Sequence, residues 1–558
     1  MSKTKNELVF LPLGGSGEIG MNLNLYGIGP EHDRKWIIVD LGVTFGGPDT
    51  PGVDIIMPDT GFIEERRDDL LAIVLTHAHE DHMGALARLW PRLRCPVYAT
   101  PFTMFLVKDR LAEFGLTDEV ELHQVEMGAR FDIGPFDIEL VTLTHSIPEP
   151  NALALRTDHG LVLHTGDWKI DETPALGPPP DEARLRELGD EGILAMVCDS
   201  TNVFSPGMSG SEDGVRDELI KLIGEYDGKA VAVATFASNV GRLSSIMEAA
   251  KRNDRSVCLI GRSMHRMTRA AQSIGLLADY TIIDEEMAAS LPQGHVLYLV
   301  TGSQGEPRAA LSRIANGEHR SVRMGKGDVV IFSSKVIPGN EKGIFALQNA
   351  LADEGIEIVT EKDRPIHVSG HPNQDELARM YEWARPQIAI PVHGERRHLL
   401  RHAELAKSFG ARAAVPGRNG EMLRLAPDGP EVIDIVASGR LHVDGTDIVA
   451  SDDDGLRQRR KMSYAGHVGV SLVVDKSGRI VSGPEPRISG FPQGQGGSLA
   501  EDLLDAIADT AEDAFDSLSK QARKDEDLIE DKVRAKVKRL VRDRTGKRAL
   551  VEVHAHKV

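Results

Sequence analysis

The stretch Thr76-His77-Ala78-His79-Glu80-Asp81-His82-Met83-Gly84 constrains this chain more than any other, because it crowds three imidazoles and a carboxylate into six positions. It follows the apolar run Leu71-Ala72-Ile73-Val74-Leu75, which suits a buried strand. His77 and His79 are two apart, so an extended segment sends both side chains to one face. Asp81 and His82 then open the helix that Met83, Leu86, Ala87 and Trp90 suggest. A lone loop histidine is more often a solvated or hydrogen-bonded residue than a ligand. Four such groups at this spacing point instead to divalent metal, since imidazole nitrogen and carboxylate oxygen are donors that zinc and manganese favour. With Asp81 as a ligand the pattern differs from H-E-x-x-H, which needs histidines four apart and a glutamate base.

At 558 residues the chain exceeds what one core usually serves, so several domains are expected. Its 41% hydrophobic content is that of an ordinary soluble protein, and no run approaches the ~20 apolar residues of a membrane span. The start, MSKTKNELVFLPL, lacks the plan of a secretory signal, which makes the cytoplasm the expected location. Cys95, Cys198 and Cys258 each stand alone in or beside apolar runs. They read as core residues in a reducing compartment, neither a disulfide framework nor a thiolate site. A net charge of −20 argues weakly against a polyanionic partner. A groove needs only local basic lining, and bound metal supplies positive charge of its own.

From the amino terminus, Leu8 to Leu13 read as a strand entering a glycine turn. There Gly15, Gly17 and Gly20 match G-x-G-x-x-G. The dinucleotide reading fails on context, because Met21 to Tyr26 alternate like a strand and open no helix. A tight turn near the site is the better reading. Trp36 to Val39 form another strand ending at Asp40, which can orient a metal-bound histidine or simply form a turn. Further strands end on potential ligands: Val141 to Thr144 at His145, Leu161 to Gly166 at Asp167, and Ile388 to Val392 at His393. Together these give His77, His79, His145 and Asp167 for one ion, and Asp81, His82, Asp167 and His393 for a second, with Asp167 bridging. Two ions about 3.5–4 Å apart suit in-line displacement at a phosphodiester.

Between about 204 and 366 strands alternate with helices, expected near 240–252, 265–277 and 341–353, which predicts a parallel α/β domain inserted between Asp167 and His393. Pro, Gly and Asp punctuation from 426 to 455 reads as a linker. The last hundred residues form a third unit. One amphipathic helix carries Leu503, Leu504, Ile507, Ala511, Phe515 and Leu518; a second carries Val533, Val537, Leu540 and Val541; a strand spans 549–553. The second helix bears Lys532, Arg534, Lys536, Lys538, Arg539, Arg542 and Arg544, a charge run read by default as a solvated face.

The motifs LPLGGSGEIGMN, IIVDLG, THAHEDHMGA, HTGDWK, CDSTN, TGSQGEP, VSGH and PVHGE, with RRKMSYAGHVGVSLVVD and RIVSGP near the carboxy terminus, identify a family. The chain resembles the metallo-β-lactamase-fold nucleases with a β-CASP insertion, and among them the ribonuclease J family. The fold implied is α/β: a metallo-β-lactamase αββα sandwich over 1–203 and 367–425, a β-CASP domain over 204–366 and a small α/β carboxy-terminal domain over 456–558. The resemblance implies the same metal ligands and adds roles. Asp199 matches the acidic motif after the ligands, Asp40 the supporting aspartate, and His371 the histidine facing the scissile phosphate. His367, Ser369 and Gly370, with Ser238 and Asn239, resemble the pocket for a 5′-terminal monophosphate. Val240-Gly241 stand where relatives often have Ile-His, so only Arg242 carries over there as a phosphate contact.

The implied activity is hydrolysis of single-stranded RNA with two divalent ions, zinc first and manganese or magnesium as alternatives. It runs 5′-to-3′ from a monophosphorylated end, with some endonucleolytic cutting, in RNA maturation and decay. Asp81, Asp199 and His371 are the catalytic candidates. A homodimer or homotetramer is implied, with no membrane partner. The rivals are a β-CASP nuclease acting on DNA, a small-ester hydrolase, and a catalytically silent RNA-binding scaffold.

Overall fold

Leu8, Phe10, Tyr26, Ile28, Ile37 and Val39 lie at every second position of their strands, and all six enter one core. Ile138, Leu140, Leu153, Leu155, Ala195, Val197 and Ile390 face them from a second sheet. The computed structural model describes residues 6–494 and 497–558. The chain divides into two units, 6–44 with 57–439, and 45–56 with 440–558.

In the larger unit the first sheet has eight strands, ordered Glu431–Ile435, Glu421–Ala426, Glu7–Gly14, Leu23–Gly29, Lys35–Val39, Leu70–Val74, Val97–Ala99 and Leu122–Gln124. The second has seven: Arg130–Ile133, Phe136–Thr142, Asn151–Thr157, Gly160–His164, Ile193–Asp199, Ile388–Val392 and Ala413–Ala414. Its outer face packs Ala152, Ala154, Leu163, Met196 and Cys198 against Leu185, Leu188, Leu377, Met380 and Trp383 of the covering helices. Helix, sheet, sheet and helix layers result from these two-sided patterns.

Ile193–Asp199 and Ile388–Val392 are parallel neighbours, with Asp199 opposite Val392. The chain between them leaves the second sheet and returns to the adjacent slot, as an insertion must. The inserted domain is a six-stranded parallel sheet, ordered Ile282–Ile283, Ser256–Ile260, Val296–Val300, Val231–Ala234, Val329–Phe332 and Glu357–Val359. Helices Val240–Arg252 and Glu341–Asp353 stand where the periodicity predicts them. The third runs Arg262–Ser273 rather than 265–277, since Gly275, at φ 83°, lies in a turn just past its end.

The segment 426–455 is not a plain linker. Glu431–Ile435 adds an edge strand to the first sheet, and Arg440–Asp444 pairs with Asp447–Ala450 as a hairpin. Its punctuation marks hairpin turns, which share the composition of linkers. The hairpin belongs to the smaller unit, where Asp444 receives both guanidinium amines of Arg459, at 3.0 and 2.6 Å, from helix Asp454–Ala465. The boundary therefore falls near 439.

In that unit, strands Ile480–Ser489, His467–Val474 and Leu550–Lys557 form a sheet covered on one face by helices Ser498–Asp516 and Glu526–Thr545. Val533, Val537 and Val541 are buried beneath the basic helix, while Lys536, Lys538, Arg539, Arg542 and Arg544 are exposed. Arg534, Arg539 and Arg542 pair with acids of the same helix, as a solvated face does. Among the described residues no helix is long and apolar enough to cross a membrane.

Candidate metal centre

The predicted ligands stand where strands of the two sheets end. His77 follows Leu70–Val74, His145 follows Phe136–Thr142, Asp167 follows Gly160–His164, and His393 follows Ile388–Val392. Asp40 (φ 64°) and His393 (φ 51°) sit in the left-handed backbone region, which Asp and His tolerate better than most residues. The glycine turn explains how His393 is held. Its backbone N–H donates to the Gly15 carbonyl at 2.7 Å, and Ser16 and Gly17 pair with Gly394 and Glu395. Gly42 allows the Asp81 backbone to approach, since a Cβ there would lie 1.7 Å from the Asp81 carbonyl oxygen.

On one side three imidazoles converge. His79 Nδ1 lies 3.1 Å from His77 Nε2 and 3.0 Å from His145 Nε2. The outward nitrogens fix the protons. His145 Nδ1 donates to the Gly370 carbonyl at 2.5 Å. His77 Nδ1 donates to Thr76 Oγ1, whose hydroxyl in turn donates to Asp40, each over 2.9 Å. The inward Nε2 atoms of His77 and His145 are therefore lone pairs. Burial, reinforced by the neighbouring imidazoles, holds His77 and His145 well below the usual histidine range. Burial likewise brings His79 down to about 4. All three are neutral at pH 7, the form that can offer a lone pair to a metal ion.

The other side is rich in carboxylate. Asp167 Oδ2 lies 3.2 Å from His82 Nε2 and 3.5 Å from His393 Nε2, and Asp81 Oδ2 lies 3.7 Å from both nitrogens. His82 Nδ1 donates to Asp40 at 2.7 Å. His393 Nδ1 donates to Asn22 Oδ1 at 3.0 Å. Burial opposes charging His82, but Asp167, Asp81 and Asp40 together raise it well above the usual range. A proton there occupies the place a cation would take.

Two observations test the fit to metal. His77 and His145 each turn a lone pair on His79 Nδ1, which has at most one proton to share between them, and zinc–nitrogen bonds of about 2.0–2.1 Å give tetrahedral edges of about 3.3 Å, close to the 3.0–3.1 Å found. Asp167 Oδ1 is also buried without a hydrogen-bond partner, a costly state for a carboxylate with no cation. The donor atoms of each predicted set lie within 4.8 Å of one another, and Asp167 belongs to both. These residues fit two divalent cations.

His371 stands beside the centre, its Nδ1 donating to Asp199 Oδ2 at 2.8 Å and lying 3.8 Å from Asp167. Burial would lower it, but Asp199, followed by Asp167 and Asp81, raises it to about 9. Thr201 donates its N–H and hydroxyl to the other Asp199 oxygen, at 2.8 and 2.7 Å. Asn202 donates to Ser369 Oγ at 2.7 Å and to the His371 carbonyl at 3.1 Å. Gly370 admits no side chain, since a Cβ would meet the His145 ring and Ser146 Oγ at 2.9 Å.

Of the expected phosphate contacts, Ser369, Gly370 and His371 join the centre. Ser238 is half-buried, and Asn239 caps helix Val240–Arg252 through the Arg242 N–H. His367 is held down to about 3 by burial and by Arg242. Arg242 itself is a correction. Its guanidinium is fully buried, paired with Glu212 at 2.9 Å and donating to the Ser333 and Ile366 carbonyls at 2.9 and 3.0 Å. Its donors are committed, so it braces the segment entering His367 and does not reach into the groove. Breaking such a buried pair costs about 3–5 kcal/mol.

Sequence reasoning missed Asn22, Thr76, Thr201 and Asn202 as the residues that orient the centre. All four lie inside the motifs that carry the family resemblance, and that was their only signal. A short polar side chain does not announce which ring it will hold.

Family models match the domains in turn. Residues 36–181 match a beta-lactamase superfamily domain and 228–351 the beta-CASP domain of ribonuclease J. Residues 355–416 match a Zn-dependent metallo-hydrolase RNA specificity domain and 455–558 the ribonuclease J C-terminal domain. Ribonuclease J of Sinorhizobium meliloti is 47% identical over 555 residues, covering 99% of this chain and 98% of its own length. That of Corynebacterium glutamicum is 37% identical over 552 residues, covering 98% and 75%. A crystal structure of a protein of unknown function from Enterococcus faecalis shares the fold, with TM-score 0.52 and 16% identity over 75% of this chain and all of that one. With relatives of this similarity along nearly its whole length, the chain belongs to the ribonuclease J family.

Proposed function

We propose that the protein is a metal-dependent ribonuclease that degrades single-stranded RNA in the 5′-to-3′ direction from a 5′-monophosphate, with some endonucleolytic cutting, in the cytoplasm. The observation carrying this reading is the meeting of His77, His79, Asp81, His82, His145 and His393 around Asp167, whose Oδ1 has no protein partner, beside the His371–Asp199 pair. Zinc is the first candidate, with manganese or magnesium admitted by the same donors.

Two divalent ions bound by these ligands would supply a more acidic water and offset charge on the reacting phosphate. The chain's own groups do the rest. Asp40 and Asn22 keep His82 and His393 turned inward, and Thr76 and the Gly370 carbonyl do so for His77 and His145. With Nδ1 engaged by Asp199, His371 has Nε2 left for the substrate, where it donates to the phosphate or protonates the departing oxygen. The Ser369-Gly370 backbone and His367 are proposed to receive the terminal phosphate.

The test is an end-labelled RNA assay with 5′-monophosphate and 5′-triphosphate ends, repeated with each metal and with the matching DNA strand. Monophosphorylated RNA is expected to be shortened from its 5′ end, the triphosphate form slowly, and DNA poorly. Equal rates at both RNA ends would remove the terminal-phosphate reading, and equal cleavage of DNA would remove the RNA reading.

A further inference from the structure

The inserted domain has a feature that the metal centre does not use. Strands Ser256–Ile260 and Val296–Val300 are parallel neighbours. The chain leaves the first through helix Arg262–Ser273 towards Ile282–Ile283, on its outer side. It leaves the second in the opposite direction, past Val231–Ala234 to Val329–Phe332. Two adjacent strands whose connections depart in opposite directions open a crevice at their carboxyl ends, where ligands of open α/β sheets bind. A cavity of about 1240 Å³ lies there, and Ile260 and Gly261 from one strand end and Thr301 from the other are in its wall.

Its charge is unlike that of the whole. The chain carries a net −20, yet Arg262, Arg266, Arg269, Arg308, Arg313 and Arg320 all line this one cavity. Arg266 bonds to Glu80 at 3.3 Å, and Arg320 lies 4.0 Å from Glu285. Among the described residues Arg262, Arg269, Arg308 and Arg313 face no carboxylate within ion-pair distance, and the buried Arg266 Nε has no partner. Asp109, Glu113 and Glu285 also reach the wall. Unpaired guanidiniums gathered around a cleft repel one another unless an anion is shared between them. Their planar donor forks match phosphate oxygens, and the N-terminus of the twelve-residue helix Arg262–Ser273 adds backbone N–H groups.

We propose that this crevice is a second phosphate-binding site, which takes nucleotide phosphates on arginines that the metal centre does not use. The phosphates belong either to a free nucleoside polyphosphate or to the backbone of an RNA chain lying across the inserted domain. The site needs none of the metal ligands, so it stands or falls apart from the proposed catalysis.

The test uses the full chain and the double variant Arg262→Gln/Arg313→Gln. Three readouts are compared: affinity for a fluorescent nucleoside triphosphate, affinity for a cleavage-resistant single-stranded 12-mer RNA across salt concentrations, and turnover of a 5′-monophosphorylated tetranucleotide. For a free nucleotide, the variant binds the triphosphate at least tenfold more weakly. For an RNA backbone, it binds the 12-mer more weakly, with a salt slope shallower by about 1.4 for two lost contacts. In both cases tetranucleotide turnover stays at the parent level. Unchanged affinity for both probes overturns the site. Collapse of tetranucleotide turnover in a folded variant does so too, because the crevice would then belong to the metal centre.

Discussion

His77, His79 and His145 all come from the chain ahead of the insertion and are made neutral chiefly by burial, with their neighbouring imidazoles adding to it, whereas the side formed by Asp81, His82, Asp167 and His393 must recruit a residue from beyond it. The imidazole side needs no opposite charge, because an uncharged nitrogen with its far proton committed is already a ligand. The carboxylate side carries surplus negative charge and draws a proton onto His82 unless a cation replaces it. One half of the centre is therefore organised by desolvation and the other by charge. Asp167 belongs to both, and Asp40 braces one histidine of each.

The strongest way to break that contrast is Asp167→Ala. Turnover is expected to fall by more than about 1,000-fold, beyond the loss of a single electrostatic contact, and both ions to be lost together. Metal content by mass spectrometry beside RNA turnover checks this, and one ion still bound at full occupancy would show that the sides are independent.

Gly370→Ala addresses the imidazole side alone, because the new methyl group must push the His145 ring or Ser146. A displacement near 1 Å costs about 100-fold in kcat. Loss of one ion with the other retained is the expected metal count. Asp40→Asn sharpens the comparison from the shared brace, lowering metal affinity by about 10- to 100-fold on both sides, which a competitive chelator titration measures. An effect confined to one ion would mean that Thr76 holds His77 unaided. The mildest change is Asn22→Ala, which removes contacts to His393, His82 and the Asp81 carbonyl, all on the carboxylate side, and is expected to weaken the carboxylate-side ion by about tenfold or less. An equal weakening of the other ion in the same titration would contradict that assignment.

Much of the centre was legible because its candidate ligands lie where apolar strands end. Leu70–Val74, Gly160–His164 and Ile388–Val392 are each recognisable as short apolar runs, and the residues just past such runs in a layered α/β fold emerge at one rim. Arg242 misled for a different reason. A guanidinium in a motif is equally able to grip phosphate or to brace carbonyls, and only Glu212, Ser333 and Ile366 arriving around it decide between them. The segment 426–455 misled because hairpin turns and linkers draw on the same residues.

The linear order of residues by itself determined which side chains are equipped to hold a metal ion, since hydrophobic periodicity and ligand chemistry are written locally. Folding alone decided which nitrogen of each histidine turns inward and that one Asp167 oxygen is left without a donor. It also decided that six arginines gather at a strand crossover in an acidic chain. Those outcomes depend on backbone carbonyls, amides and neighbours brought from hundreds of positions away, and no side chain carries a mark of where such groups will stand.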